Sequence, residues 1–144
     1  MKKQILIMML LIVTGVVGAN AQTSQRKELR ANIPFAFNVG QASLPAGEYT
    51  VVVINPSSDR KVLRIRSADG HLNAIVQVMT ETGKEHDPAK LIFNRYGDQY
   101  VFAIVEVAGE NTSFTALKTK SERALQRDVG KHRLSKDVVA VNAR

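Results

Sequence analysis

The residues whose type and spacing could do chemistry are basic and lie near the carboxyl terminus. Lys120, Arg123, Arg127 and Lys131 follow one another at intervals of three, four and four residues. On a helix these intervals place side chains on one face, so the four residues would form a basic stripe that binds anions. Its partner would be an anionic envelope component, such as lipid or lipopolysaccharide, or a polyanionic polymer. The alternative is the solvated face of an ordinary surface helix.

A second candidate is the pair Arg95 and Tyr100. A tight turn at Gly97-Asp98 would make these two residues direct cross-strand partners in a hairpin. Stacking of the guanidinium on the ring is the expected role. The alternative is a ligand face, in which the two side chains together hold an anionic or sugar ligand.

The remaining titratable residues form no recognisable catalytic or metal-binding pattern. The densest cluster of possible ligands is a charged loop that contains Glu81, Glu85, His86 and Asp87, without the spacing of known zinc motifs. No G-x-S-x-G motif is present. Glu106 lies within an apolar strand, where a carboxylate is expected to reach solvent or to pair with an arginine. The sequence therefore predicts no catalytic residue, no metal ligand and no cofactor.

The amino terminus has the pattern of a signal peptide. Lys2 and Lys3 precede an apolar run over residues 5–17, and Ala19-Asn20-Ala21 matches a cleavage site. We expect cleavage after Ala21 and export to the periplasm or the exterior. The run is shorter than the about 20 residues of a spanning helix, so no transmembrane segment is expected after cleavage. The chain has no cysteine, which excludes disulfides and thiol chemistry, and export makes nucleic acid an improbable partner.

The mature chain divides by composition into three parts. Residues 22–29 are polar and predicted to be a flexible leader. Residues 30–130 are predicted to form one domain, whose strand-rich part balances basic and acidic residues. Residues 131–144 are predicted to be a basic tail that is either loose or forms one short extra strand. The positive excess of the mature chain lies from Lys118 onward, so the high isoelectric point does not describe the body of the protein.

Period-two hydrophobic alternation predicts a β-rich domain. Residues 33–55 are predicted to form two strands, the first near a sheet edge because Pro34 lacks an N–H donor. Asp69-Gly70 marks a hairpin turn, and its register would place Leu63 opposite Val76. We predict an all-β fold, an antiparallel β-sandwich or small barrel of about seven strands with one short C-terminal helix over residues 120–129.

The Gly97-Asp98 turn predicts the register of a second hairpin. It would pair Phe93 with Phe102 and Leu91 with Ile104. The other parity of the returning strand is also apolar, so something must cover its second face. Leu125 makes the predicted helix the candidate cover.

Several segments together resemble a family of small exported bacterial β-rich proteins that carry no assigned activity. These segments are IPFAFNVG, LPAGEYTV, LRIRSADG, LIFNRYGDQYVF and the closing KTKSERALQR, and they span roughly residues 31–127. The resemblance implies export and a β-rich domain, and it implies no cofactor or catalytic residue.

These observations favour an exported, non-catalytic binding or envelope-associated protein. One alternative is a periplasmic hydrolase. Another is a structural or adhesive subunit that associates with itself by strand addition at the edge near Pro34.

Overall fold

A computed structural model of the protein describes residues 27–132 and 136–144. The predicted signal peptide and its cleavage site after Ala21 lie outside the described residues. Within these described ranges the strands and the one helix are β1 (Glu28–Ile33), β2 (Phe37–Val39), β3 (Ala42–Leu44), β4 (Gly47–Val53), β5 (Lys61–Ser67), β6 (Asn73–Thr82), β7 (Lys90–Tyr96), β8 (Gln99–Glu106), β9 (Thr112–Ala116), α1 (Lys120–His132) and β10 (Lys136–Asn142).

The strands form one large open sheet that is consistent with a β-sandwich, as the all-β prediction required. Its order is β1-β4-β5-β6-β9-β8-β2-β3, and β7 lies between β8 and β10. All pairings are antiparallel except β2 with β8. The sheet curls until Arg30 of β1 and Arg144 exchange two backbone hydrogen bonds of 2.8 and 3.0 Å. This contact brings both termini of the described chain to the same side of the core.

The core divides into an aromatic part and an aliphatic part. Phe37 packs edge-on against Tyr49 and Phe93, with ring centroids 5.1 and 5.3 Å apart, and Phe93 packs against Phe102 at 5.8 Å. Phe37, Tyr49 and Phe93 are among the largest fully buried side chains of the protein. Elsewhere the core is lined mainly by valine and leucine, a difference that matters for the cavity described below.

Residues 33–55 contain more strands than the two predicted. β1 ends at Ile33, and the exposed Pro34 interrupts the chain because it cannot donate to a ladder. The short strands β2 and β3 follow, joined at Gly40, whose φ of 60° favours glycine. The described residues therefore form ten strands rather than about seven.

The two predicted hairpins differ in how well their registers were predicted. In the first, Leu63 lies opposite Val76, as predicted. In the second, Phe93 lies opposite Phe102 as predicted, but a register shift after Ile92 places Leu91 opposite Val105 instead of Ile104. The bulge reverses the parity of β8, so Val105 joins the main core.

The helix is anchored to the sheet by both apolar and polar contacts. Val129 is buried with Tyr96 and Val101, and Leu125 packs against them, as the predicted cover required. Thr119 Oγ1 accepts a hydrogen bond of 3.1 Å from the backbone amide of Glu122, so Thr119 is the N-cap of the helix. The helix continues to His132, beyond the predicted end near residue 129.

Both segments that were predicted to flank the domain, residues 22–29 and 131–144, contain regular structure. β1 begins at Glu28, within the predicted leader. Of the two alternatives for residues 131–144, the structure supports the extra strand, because β10 pairs with β7 from Lys136 to Asn142. The alternating valines of this segment give it a strand pattern. No helix of the described residues is long and apolar enough to cross a membrane.

Candidate functional site

A cavity of about 270 Å³ opens at the aliphatic part of the core. Residues of β1, β4 and β5 form one wall, and residues of β8, β9 and the loop after β8 form the other. Its apolar lining is Leu29, Val51, Val53, Pro56, Leu63, Val105, Val107 and Phe114.

The sequence explains why this part of the core is left unfilled. Val51 and Val53 face the same side of β4 because strand side chains alternate, and Val105 faces them only because of the bulge in β8. Valine is short, whereas the aromatic side chains of the core lie elsewhere, with Phe114 alone among them reaching the cavity. The result is an apolar pocket of the kind that holds small ligands between β-sheets.

Charged residues are confined to the exposed mouth of the cavity. Lys27 Nζ donates a hydrogen bond to Glu110 Oε1 and forms an ion pair with it. This contact links the residue just before β1 to the loop between β8 and β9. Lys61 Nζ donates to the carbonyl oxygens of Pro56 at 2.9 Å and Ser58 at 3.3 Å. The mouth therefore carries two ammonium groups and one carboxylate.

The lining of the cavity is almost entirely apolar. Apart from Lys27, Lys61 and Glu110, every described residue that lines it is apolar. An aliphatic ligand would gain the free energy of apolar burial inside. The polar end of such a ligand would meet the charged mouth.

The structure brings together two residues that the sequence suggested separately. His86 Nδ1 lies 3.6 Å from Glu106 Oε2. The backbone amide of His86 also donates a hydrogen bond of 2.9 Å to the carbonyl oxygen of Glu110, which fixes the position of this loop. His86 Nε2 is buried and has no hydrogen-bond partner among the residues that the structure describes. Glu106 thus pairs with a histidine rather than with an arginine.

The rest of the charged loop does not converge on a metal site. Glu81, Glu85 and Asp87 are exposed. In the part of the chain that the structure describes, no three histidine or carboxylate groups lie close enough together to hold a metal ion.

Arg95 and Tyr100 are cross-strand partners, as predicted. The Arg95 guanidinium carbon lies 5.6 Å from the Tyr100 ring centroid, and its Nε donates to the carbonyl of Gly97 at 2.9 Å. Phe35 stacks on Tyr100 with ring centroids 3.9 Å apart. These contacts already occupy both side chains, which favours the stacking role over a ligand face.

The basic residues of α1 are placed as the sequence predicted. Lys120, Arg123 and Arg127 are exposed and border one shallow surface depression. Among the described residues, no carboxylate lies within ion-pair distance of these three. Lys131 lies in the same helix, four residues after Arg127.

Neither the cavity nor its mouth was predictable from local patterns of residues. Lys27, Lys61 and Glu110 belong to three distant segments, and only the strand order brings them together. The sequence signal that could have pointed to the cavity was the pattern of residues 101–107, whose odd-numbered and even-numbered positions are both largely apolar. One face of this strand therefore had no predicted neighbour to cover it. The sequence matches no protein-family model, and neither a curated protein nor a solved structure is detectably similar to it.

Proposed function

We propose that this protein is an exported, non-catalytic binding protein that holds a small, mainly aliphatic ligand in its valine-lined cavity. The observation that carries the proposal is the cavity itself, with apolar walls and charge confined to the mouth. Pockets of this type bury most of an apolar ligand and use a few polar groups to orient it. Export is supported by the signal-peptide pattern of residues 1–21.

The hydrolase alternative has less support from the geometry. Hydrolysis by a side-chain nucleophile needs that nucleophile within hydrogen-bond reach of a base. The His86–Glu106 pair is the nearest approach to such a site, and the described contacts connect neither side chain to a hydroxyl group. The one carboxylate among the described lining residues of the cavity, Glu110, is already engaged in an ion pair with Lys27.

The self-association alternative relied on a free edge next to Pro34. The strand that follows Pro34 is β2, which has β8 on one side and β3 on the other. Strand addition needs unpaired backbone groups. Pairing of β2 on both sides therefore removes the edge on which the self-association alternative relied.

A fluorescence titration tests the proposed function. 1-Aminonaphthalene is neutral, its ring system is close in size to the cavity, and its emission moves to shorter wavelengths in apolar sites, so the purified protein should give a saturable increase at those wavelengths. Val53→Trp should abolish the increase, because Val53 lines the cavity and is only partly buried, so that the indole enters the open space. Ile75→Trp is the matched control, because Ile75 is 57% exposed on β6 and outside the cavity. Equal binding by the wild-type protein and Val53→Trp would refute the proposal.

A second proposed function belongs to the basic stripe of α1. Because Glu122 and Val129 are buried and hold the helix on the sheet, the side that carries Lys120, Arg123 and Arg127 remains exposed. This arrangement supports contact with an anionic envelope component or polymer.

A further inference from the structure

We infer that the ligand of the cavity is an anionic amphiphile, with one short aliphatic chain inside and a monoanionic head group at the mouth. This inference rests on the proposed function and adds the chemical class of the ligand. It follows from the volume of the cavity and from the placement of charge around its opening.

The volume limits the length of the chain. An apolar cavity of about 150 Å³ stays dry and binds benzene, and the present cavity measures about 270 Å³. At the cavity volume per carbon atom that benzene has in that example, the present space accommodates about ten carbon atoms. The walls offer no polar group to a ligand at that depth, so the buried part must be a hydrocarbon.

Lys61 makes the mouth favourable for an anion. Its Nζ uses two hydrogen bonds, both to neutral backbone carbonyls of the preceding loop. An ammonium has three donors, so one N–H remains available for a ligand. Among the described residues, no carboxylate lies within ion-pair distance of Lys61. Its positive charge is therefore not neutralised by a neighbouring carboxylate.

Lys27 and Glu110 set the charge of the rest of the mouth. Their ion pair is partly exposed, and together the two groups contribute no net charge. With Lys61 included, the opening carries one net positive charge. An anionic head group would be attracted to it, whereas a cationic head group of the same size would be repelled by Lys61.

Displacement of the neutral probe by three ten-carbon amphiphiles tests the inference. Decanoate, decanol and decyltrimethylammonium share one chain and differ in head charge, and each is used below its micelle concentration. Decanoate should displace the probe at about tenfold lower concentration than decanol, the factor expected for one charge-assisted hydrogen bond. Decyltrimethylammonium should be the weakest of the three.

Substitutions at Lys61 assign the effect to this residue. Lys61→Met keeps an aliphatic chain along the cavity wall and should lower the affinity for decanoate far more than the affinity for decanol, so that the preference for decanoate is lost. Lys61→Arg keeps the charge and should retain the preference. Lys84→Met removes one positive charge from an exposed loop residue that does not line the cavity, and it should behave as the wild type.

The outcomes separate the inference from the proposed function. If decanoate and decanol displace the probe equally, or if Lys61→Met weakens both to the same degree, the ligand class is wrong and the cavity remains a binding site. If neither the probe nor any of the three amphiphiles binds, both the ligand class and the proposed function are wrong.

Discussion

The hydroxyl group of Tyr96 donates a hydrogen bond of 3.0 Å to Oε1 of Glu122, and this contact joins the sheet to the helix. Glu122 is only 5% exposed and also accepts a hydrogen bond of 3.1 Å from Asn94 Nδ2. Buried carboxylates are stable only where they are hydrogen-bonded. The anchor of α1 is thus a polar contact within a small apolar cluster.

Tyr96→Phe should destabilise the protein. The substitution removes one donor from a buried carboxylate, and an unsatisfied buried charge costs about 1–3 kcal/mol or more. Equilibrium unfolding in urea, followed by circular dichroism, measures the loss of free energy of unfolding. Tyr100→Phe is the matched control, because the described contacts of Tyr100 involve its ring. Equal stability of the two variants would contradict the anchoring role of Tyr96.

The same hydroxyl should make stability depend on pH in the alkaline range. Burial, and secondarily the charge of Glu122, raises the pKa of Tyr96 to about 12 from its usual 10.0. Because the folded state holds this proton more tightly than the unfolded state does, its contribution is fully present below pH 10. The contribution is then lost as pH rises from 10 to 12.

A comparison with Tyr96→Phe isolates this effect from other alkaline titrations. At about 1.4 kcal/mol for each pKa unit, the wild type should lose about 2 kcal/mol more than the variant between pH 10 and pH 12. Urea unfolding at several pH values measures the difference. Parallel pH profiles for the two proteins would show that the pKa of Tyr96 is not raised.

Local patterns predicted the elements better than they predicted the site. The pairing of Leu63 with Val76 followed from one turn and two alternating strands, so it required no knowledge of strand order. The bulge lies in β8, opposite the step from Ile92 to Phe93 on β7. It left no local signal in the sequence, because both parities of β8 are apolar. One inserted residue was enough to move Val105 to the face opposite the predicted one.

The cavity depends on relationships that a single sequence does not contain. Lys27 and Glu110 are 83 positions apart and meet because β1 and the loop before β9 lie at the same end of the sheet. Thr119 and Glu122 show a milder case, since a threonine followed three residues later by a glutamate is the usual pattern of a capping box. The threonine does cap the helix, but the carboxylate bonds Tyr96 and Asn94 on β7 instead.

Neutralising the basic stripe should weaken binding to anionic membranes. Each basic residue near an anionic lipid surface contributes about 1 kcal/mol. The triple substitution Lys120→Gln, Arg123→Gln and Arg127→Gln should therefore weaken partition to phosphatidylglycerol vesicles about a hundredfold at low salt. Sedimentation with the vesicles measures the partition. Point substitutions are preferable to deletion of residues 118–144, because the deletion would also remove β10 from its seven pairings with β7.

A matched triple variant separates the position of the charges from their number. Arg60→Gln, Arg66→Gln and Lys84→Gln remove the same charge from exposed positions outside α1. This control should keep most of the partition of the wild type. If the two triple variants partition equally, the stripe acts only through net charge and has no specific role.

Glu110→Gln should strengthen the binding of decanoate at the cavity. Glu110 is the only carboxylate among the residues that line the cavity, and it holds Lys27 in an ion pair. Its neutralisation frees that ammonium for the head group and adds one positive charge to the mouth. We expect decanoate to displace the neutral probe at a several-fold lower concentration, and we expect no change for decanol. The free energy of unfolding should fall by less than about 1 kcal/mol, because the Lys27–Glu110 ion pair is partly exposed.

Glu85→Gln provides the control for this last variant. Glu85 is exposed, belongs to the loop before β7 and does not line the cavity, so its neutralisation changes the net charge without changing the mouth. Equal gains in decanoate affinity for both variants would mean that long-range charge alone governs binding. Weaker decanoate binding by Glu110→Gln would mean that the Lys27–Glu110 pair shapes the mouth and that Lys27 does not contact the head group.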